Sequence, residues 1–175
     1  AGALTVGEAV KAVRARGTFM QEAVPEGTGA MAAILKLEAA KVKQACEAAA
    51  QATGQVVSPA NFNSPEQTVI AGTAGAVEKA MAECKALGAK RAVPLPVSAP
   101  FHCALMKPAE KRLAPELRAL QTADPRVPVV ANVDATPKRA AADAVEALVA
   151  QGGQSCAPGR ARSVKPAAAG RQQHA

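Results

Sequence analysis

Six short segments between residues 28 and 98 alternate between the two regular secondary structures, and their order constrains the fold more than any other feature of the sequence. Apolar runs bounded by Gly, Pro, Ser or Asn predict strands, whereas alanine-rich runs with a helical period predict helices. Gly88 follows the second helix and has no Cβ, which suits the left-handed conformation that ends a helix. In chain order the predicted elements are the strand AMAAILKL, a helix over 38–52, the strands QVVSPANFN and QTVIAGT, a helix over 74–87 and a strand over 91–98.

These segments have the order β-α-β-β-α-β, which is that of the ferredoxin-like split βαβ unit. The last strand supports this order independently. Pro94 and Pro96 are two residues apart, so both remove a hydrogen-bond donor from the same edge of that strand, and such a strand belongs at the border of a sheet. The fourth strand of the ferredoxin-like arrangement is a border strand. The sequence therefore predicts a four-stranded antiparallel sheet with two helices over residues 28–98.

The sequence on either side of this unit predicts three more helices and one more strand. Thr5 and Glu8 have the spacing of a capping box, which starts a helix that continues to about Gln21. After residue 98 a turn is expected. The later elements are a helix over 107–120, the strand VPVVANVDA and a helix over 140–150.

Residues 151–175 differ in composition from the rest of the chain. They hold four basic residues and no acidic one, which leaves 17 basic and 14 acidic residues in positions 1–150. Gly, Pro, Ala, Arg and Gln dominate this segment, and such a composition cannot bury enough apolar surface to offset the entropy of ordering. We expect residues 151–175 to form a disordered basic tail. The body is only mildly basic and the chain has three Phe and no Tyr or Trp, so nucleic acid is not a predicted partner.

Two further classes of site are not indicated by the sequence. There is no run of about 18 apolar residues and no basic region before an apolar stretch at the N-terminus, so neither a membrane span nor a signal peptide is predicted. We expect a cytoplasmic protein with no membrane partner. The cysteines are widely spaced without a C-x-x-C pair, which predicts reduced thiols and no metal site. They are Cys46, Cys84, Cys103 and Cys156.

Arg16 is unusual in its position on the first predicted helix. It lies about 20° from Ala9 and about 40° from Met20 around the helix axis, so it projects from the apolar face, unlike Arg14. A guanidinium in such a place needs an anionic partner. Two interpretations remain open: a structural ion pair with a carboxylate elsewhere, or a bidentate clamp for a ligand carboxylate or phosphate.

His102 follows a proline-broken apolar strand and precedes another apolar turn. It can be a hydrogen-bonded histidine of a turn, or a general base for a nucleophile. Cys103 is its neighbour but points differently along the chain, and the 175 residues contain no G-x-S-x-G elbow. The sequence therefore presents a candidate base without an evident nucleophile.

Three segments, in this order and spacing, closely resemble the malonyl-CoA:acyl-carrier-protein transacylases of bacterial fatty-acid synthesis. They are VRARGTFMQEAVPEGTGAMAAIL, SPANFNSPEQTVIAG and LPVSAPFHCALMKPA, and the resemblance extends from residue 1 to about 151. Members of that family have an α/β-hydrolase-like core with an inserted ferredoxin-like subdomain. The resemblance thus implies an α/β fold, α+β in the part present, with residues 1–27 and 99–150 as a partial acyltransferase core and 28–98 as the small subdomain.

The resemblance also implies roles for individual residues. His102 in SAPFH matches the histidine that activates a nucleophilic serine, and Arg16 in RARG matches the arginine that binds the malonyl carboxylate. Ser98 and Asn63 resemble supporting polar residues of the same cleft. The implied reaction is ping-pong malonyl transfer from malonyl-CoA to the phosphopantetheine thiol of acyl carrier protein, by a monomer without a metal or other cofactor.

The chain departs from the family pattern in two places. Members carry a GHSLG segment with the nucleophilic serine, and the 175 residues contain none. Members also have, beyond the position of Gln151, a glutamine whose backbone orients the histidine, and the sequence after Gln151 does not resemble that segment. We therefore expect the chain by itself to be inactive. The alternatives are a non-catalytic fragment that binds acyl carrier protein or CoA esters, and a free-standing ferredoxin-like binding module.

Overall fold

The computed structural model describes residues 1–25, 27–97 and 99–151. Within them the helices are α1 (Val6–Ala23), α2 (Ala39–Thr53), α3 (Ala74–Ala86), α4 (Lys107–Arg118) and α5 (Ala141–Gln151), with a short 3₁₀ helix at Ala104–Met106. The strands are β1 (Gly29–Leu35), β2 (Val57–Ser64), β3 (Gln67–Thr73), β4 (Arg91–Pro94), β5 (Val129–Val130) and β6 (Pro137–Lys138).

The predicted capping box starts α1. The Thr5 side chain accepts a hydrogen bond from the backbone N–H of Glu8 at 3.3 Å, and the Glu8 carboxylate accepts one from the backbone N–H of Thr5 at 3.0 Å. These bonds satisfy two of the donors that a helix N-terminus leaves without partners. The helix continues two residues further than predicted, to Ala23.

The four-stranded sheet has the order β2-β3-β1-β4, and every neighbouring pair is antiparallel. Strand β4 lies at the border, as the two prolines predict. It is shorter than predicted, because its ladder with β1 ends at Pro94 opposite Ala32 and only Leu95 adds a further bond, to the carbonyl of Met31 at 2.9 Å. Pro96 has no N–H with which to extend the ladder.

Strand β1 is buried on both of its faces. Ala32 and Ile34 face α2 and α3 and belong to the main core of the sheet, where Ile34 and Ile70 are fully buried. Met31 and Ala33 face the other side, which contributes to the candidate site. Burying a side chain the size of isoleucine stabilises a fold by about 1.5–3 kcal/mol, so this strand anchors the site to the core of the sheet.

Helix α4 packs between α1 and α5 and is tied to each by one arginine. The guanidinium of Arg112 lies 4.2 Å from the centre of the Phe19 ring and 2.6 Å from the Glu22 carboxylate, both on α1. Arg118 donates two hydrogen bonds, at 2.7 and 2.8 Å, to the Glu146 carboxylate on α5. Because these ion pairs are exposed to solvent, they contribute little to stability, and buried apolar contacts hold the three helices together.

The prediction of a strand over VPVVANVDA was mostly wrong. Only Val129 and Val130 form a strand, which pairs with Pro137–Lys138, and the chain then turns, with the N–H of Ala135 donating to the carbonyl of Ala131 at 2.8 Å. An apolar run forms a strand only where a neighbouring strand supplies backbone hydrogen-bond partners. Within the described residues, the partner of this run is the two-residue strand Pro137–Lys138.

The C-terminal boundary also differs by one residue. Gln151 is the last residue of α5 rather than the first of a tail. The remainder of the predicted tail, 152–175, lies outside the described residues. None of the helices in the part that is described combines the length and the apolar character needed to cross a membrane.

Candidate active site

Arg16 and His102 lie together between two neighbouring clefts and line both of them. The first cleft, of about 330 Å³, is bounded by the open side of the sheet at Met31 and Val69. The second, of about 340 Å³, is bounded by helices α1, α4 and α5 and includes Val13. A half-buried cation and a half-buried imidazole thus share apolar surroundings, in which charges interact more strongly than in water.

The loop that carries His102 is fixed by buried residues on each side of it. Pro100, Cys103 and Met106 are all buried, and the Cys103 thiol donates to the carbonyl of Pro100 at 3.1 Å. Pro100 packs directly on Gly29, where a Cβ would meet the proline ring at 2.4 Å. No larger residue fits at position 29 without moving the loop.

His102 itself has a φ of +59°, in the left-handed region that residues other than glycine rarely occupy. Such a conformation costs of order 1–3 kcal/mol and persists only where surrounding contacts impose it, which is typical of functional sites. The buried residues around it supply those contacts. The ring is thereby directed into the clefts.

The Nδ1 atom of His102 lies 3.2 Å from the backbone carbonyl oxygen of Gln151. A carbonyl can only accept, so Nδ1 carries the proton and Nε2 of the neutral ring is left as a proton acceptor. The resemblance places the backbone partner of the histidine beyond Gln151, whereas in this structure Gln151 itself provides that partner. Burial lowers the pKa of His102; the Gln151 bond opposes this, and the nearby charge of Arg16 lowers the pKa further. The imidazole is therefore neutral near pH 7.

Arg16 makes no salt bridge or hydrogen bond with any carboxylate in residues 1–25, 27–97 and 99–151. Within that part of the chain, the interpretation as a structural ion pair finds no support. Its guanidinium lines a cleft beside a neutral imidazole and is placed to bind an anionic group of a ligand.

The two predicted supporting residues have different outcomes. Ser98 lies outside the described residues. Asn63 is exposed beside the β2–β3 turn, whereas Asn61 lines the cleft on the same strand. The register of β2 against β3 shifts between Pro59 and Asn61, so Asn61 pairs with Val69 and shares its face. The register shift arises from pairing with β3, so nothing in the sequence indicates that Asn61, rather than Asn63, lines the cleft.

Cys103, although adjacent to His102 in sequence, is not presented to it. Its side chain is buried against the sheet, and burial raises the pKa of its thiol. A protonated, buried thiol is a poor nucleophile. The described residues also contain no group of three or more His, Cys, Asp or Glu side chains able to hold a metal ion.

Comparison with known proteins identifies the family to which this sheet, with its paired base and cation, belongs. Residues 1–158 match the acyl transferase domain, and the chain belongs to that family. It is 58% identical over 151 residues to the malonyl CoA-acyl carrier protein transacylase of Salmonella typhimurium, covering 86% of this chain and 48% of the relative.

Solved structures show the same relationship. An acyl carrier protein S-malonyltransferase from Vibrio cholerae has a TM-score of 0.86 and 51% identity, over 89% of this chain and 50% of that one. A malonyl-transacylase solved in complex with a type II polyketide synthase acyl-carrier protein gives the same TM-score, identity and coverage. The chain spans about half the length of the relatives that it matches.

Proposed function

We propose that this chain is the part of a malonyl-transferring acyltransferase that holds the general base and the carboxylate clamp. The observation that carries the proposal is the shared position of His102 and Arg16, which line the same clefts, with Nδ1 of the imidazole bound to the carbonyl of Gln151. Malonyl-CoA as donor, the phosphopantetheine thiol of acyl carrier protein as acceptor, action as a monomer and a cytoplasmic location belong to the same proposal.

Arg16 would select the substrate. A malonyl group carries a carboxylate beyond its thioester carbonyl, and a guanidinium can bind that carboxylate through two parallel hydrogen bonds. Acetyl-CoA has the same thioester and the same CoA group but no carboxylate. Discrimination between the two acyl groups is therefore the property that depends on Arg16. The side chain of Asn61 lines the same cleft and would contact the acyl group.

His102 would move protons. Its Nε2 atom accepts the proton of a nucleophilic hydroxyl as the oxygen attacks the thioester carbonyl, and returns it to the CoA sulfur as the carbon–sulfur bond breaks. In the second half-reaction the same nitrogen takes the proton of the phosphopantetheine thiol as its sulfur attacks the ester, and returns it to the hydroxyl oxygen. A lowered pKa keeps Nε2 free to accept a proton near pH 7.

A second candidate function is binding of CoA esters or acyl carrier protein without catalysis. It is favoured by the absence of a G-x-S-x-G segment from the 175 residues and by the burial of Cys103, the thiol nearest to His102 in sequence. We propose also that residues 28–98 act as a subdomain inserted into the acyltransferase core. The resemblance of the order β2-β3-β1-β4 to the ferredoxin-like arrangement supports this division.

The test compares malonyl-CoA with acetyl-CoA by isothermal titration calorimetry. We expect Arg16→Gln to weaken malonyl-CoA binding roughly 10-fold to 100-fold, the range of a charged hydrogen bond of about 1.5–3 kcal/mol. Binding of acetyl-CoA should be unchanged. Arg14→Gln is the matched control, because Arg14 is exposed on the same helix. Equal binding of the two CoA esters by the unmodified chain, or equal effects of the two variants, would reject Arg16 as the carboxylate clamp.

A further inference from the structure

A polar pocket lies at the end of the four-stranded sheet that is remote from His102. Its volume is about 380 Å³, and it lies where β1 ends at Leu35. The histidine loop lies at the other end of β1, where Pro100 contacts Gly29. We call this remote cavity the end pocket. Its polar lining residues are Lys36, Ser64, Glu66, Gln67, Lys90 and Arg91.

The end pocket has more positive charge than its carboxylate neutralises. Lys36 has a φ of +61°, its backbone N–H donates to the carbonyl of Glu66 at 2.7 Å, and its ammonium group pairs with the Glu66 carboxylate. Lys90 and Arg91 are exposed, and their side chains make no salt bridge or hydrogen bond within the described part of the chain. An unpaired ammonium beside an unpaired guanidinium is a typical partner of phosphate.

The register of the sheet places the end pocket on the same side as the first cleft of the candidate site. Leu35 pairs with Gln67 on β3 and with Arg91 on β4. Directly paired residues of antiparallel strands have their side chains on one face, and residues two apart along a strand return to that face. These three residues therefore share the face of Met31, which lines the cleft that holds both catalytic candidates.

The separation of the two sites matches one class of ligand. Met31 and Leu35 are four residues apart on β1, which is about 13 Å along a strand. On the shared face between them lie the apolar side chains of Ala33 and its partner Val93. A CoA ester has its thioester and its phosphates at opposite ends of a flexible pantetheine arm. A phosphate site at this distance from a thioester site is the arrangement that such a ligand requires.

We propose that the end pocket binds the phosphate of a phosphopantetheine arm, with Lys90 and Arg91 as its cationic partners. The thioester at the other end of the arm lies between Arg16 and His102. That placement of the thioester rests on the proposed function, whereas the phosphate site rests on the unpaired charges and on the register of the sheet. CoA and acyl carrier protein both carry this arm, so either can supply the phosphate.

The test measures binding of CoA esters to the full chain by isothermal titration calorimetry. Arg91→Gln should weaken malonyl-CoA and acetyl-CoA by the same factor, roughly 10-fold, the low end for a charged hydrogen bond. Malonyl-pantetheine has no phosphate, so its affinity should not change. Lys41→Gln is the matched control, because Lys41 is an exposed lysine of α2, which packs on the other side of the sheet. Arg91→Lys keeps a cation and should lose less affinity than Arg91→Gln.

Two further ligands identify the source of the phosphate. Malonyl-phosphopantetheine has the arm phosphate without the adenosine part of CoA, and Arg91→Gln should weaken it as well. A loss confined to malonyl-CoA would assign the pocket to the adenosine phosphates and overturn the proposal. The malonyl ester of the Salmonella typhimurium acyl carrier protein is then compared with the same carrier protein without its arm. A loss in Arg91→Gln for the ester alone adds the carrier protein as a source of the phosphate.

The phosphate site and the carboxylate clamp fail in distinguishable ways. Equal binding of malonyl-CoA by Arg91→Gln and Lys41→Gln would overturn the phosphate site, and so would an unmodified chain that binds malonyl-CoA no more tightly than malonyl-pantetheine. Either result leaves the clamp standing if Arg16→Gln still weakens malonyl esters alone. A loss in Arg91→Gln, with equal binding of malonyl-CoA and acetyl-CoA by the unmodified chain, would reject the clamp and retain the phosphate site.

Discussion

The imidazole of His102 is held by the backbone of a residue 49 positions later, with Nδ1 lying 3.2 Å from the carbonyl oxygen of Gln151. This contact joins the histidine loop to the last turn of α5. The acceptor is a main-chain atom, so the orientation of the ring depends on where α5 ends and not on the side chain at position 151.

The neutral ring should be in the Nδ1–H tautomer. Long-range ¹H–¹⁵N correlation spectra at pH 7.5 or above should show a protonated Nδ1 and an unprotonated Nε2 for His102, assigned by the loss of its signals in His102→Gln. Gln151→Ala should leave the tautomer unchanged, because it keeps the carbonyl. A ring protonated mainly at Nε2 would contradict the assigned hydrogen bond and remove the proposed base.

Removing the charge of Arg16 should raise the pKa of His102. Burial lowers this pKa most, and the positive charge of Arg16 lowers it further by disfavouring a second cation nearby. An NMR titration of His102 should therefore show a higher midpoint in Arg16→Gln than in the unmodified chain. Arg14→Gln should leave the midpoint in place. Identical midpoints in all three proteins would show that Arg16 and His102 do not interact.

The same shift gives stability a defined dependence on pH. Because the pKa of His102 in the folded chain lies below its ordinary value of 6.5, the unfolded chain binds more protons in the window between the two. The free energy of unfolding should thus fall as the pH decreases from about 6.5 through the folded pKa. Urea unfolding at several pH values should show this loss in the unmodified chain relative to His102→Gln. A difference that does not vary with pH would contradict it.

Two glycine-to-alanine substitutions should have opposite effects on stability. At Gly72 a Cβ would lie 2.1 Å from the Val56 carbonyl oxygen and 2.6 Å from the Cα of Val57, so Gly72→Ala must displace backbone and should cost about 1–3 kcal/mol. At Gly17 a Cβ meets nothing within 4 Å, so Gly17→Ala should stabilise the chain by about 0.4–1 kcal/mol. Urea unfolding measures both. Equal changes would contradict at least one of these two local environments.

The chain alone should not form a malonyl-enzyme. Cys103 is buried, its thiol donates to Pro100, and burial raises its pKa, so the thiolate needed for attack is scarce. Incubation with malonyl-CoA followed by intact-mass analysis should show no stable addition of a malonyl group. Stoichiometric malonylation of the chain itself would place the nucleophile within these 175 residues.

The parts of the fold that could be predicted depend on local chemistry. Thr5 and Glu8 start α1 through contacts within one turn, and Pro94 and Pro96 place β4 at the border because each lacks a donor. Arg16 could be singled out because it stands on an otherwise apolar side of a helix. In each case the deciding interaction lies within a few residues of sequence.

The parts that could not be predicted depend on distant or main-chain partners. Every residue carries a carbonyl, so nothing in the sequence marks that of Gln151 as the one that reaches His102. The register shift that places Asn61 in the cleft arises from pairing with β3. Likewise VPVVANVDA has the composition of a strand, but its extent is decided by a neighbouring strand and not by its own side chains.

The close packing of Gly29 on Pro100 has a consequence for how this architecture can change over evolutionary time. The chain enters the four-stranded sheet at Gly29 and, shortly after leaving β4, touches that same point again through Pro100. A segment whose entrance and exit coincide can be acquired, lost or exchanged in one genetic event without rerouting the rest of the polypeptide. Because the exit leads straight into the histidine loop, any such exchange is accepted only if the new segment begins with a residue as small as glycine against that proline. The contact between Gly29 and Pro100, more than the sheet itself, is thus where ancestry should leave its clearest trace.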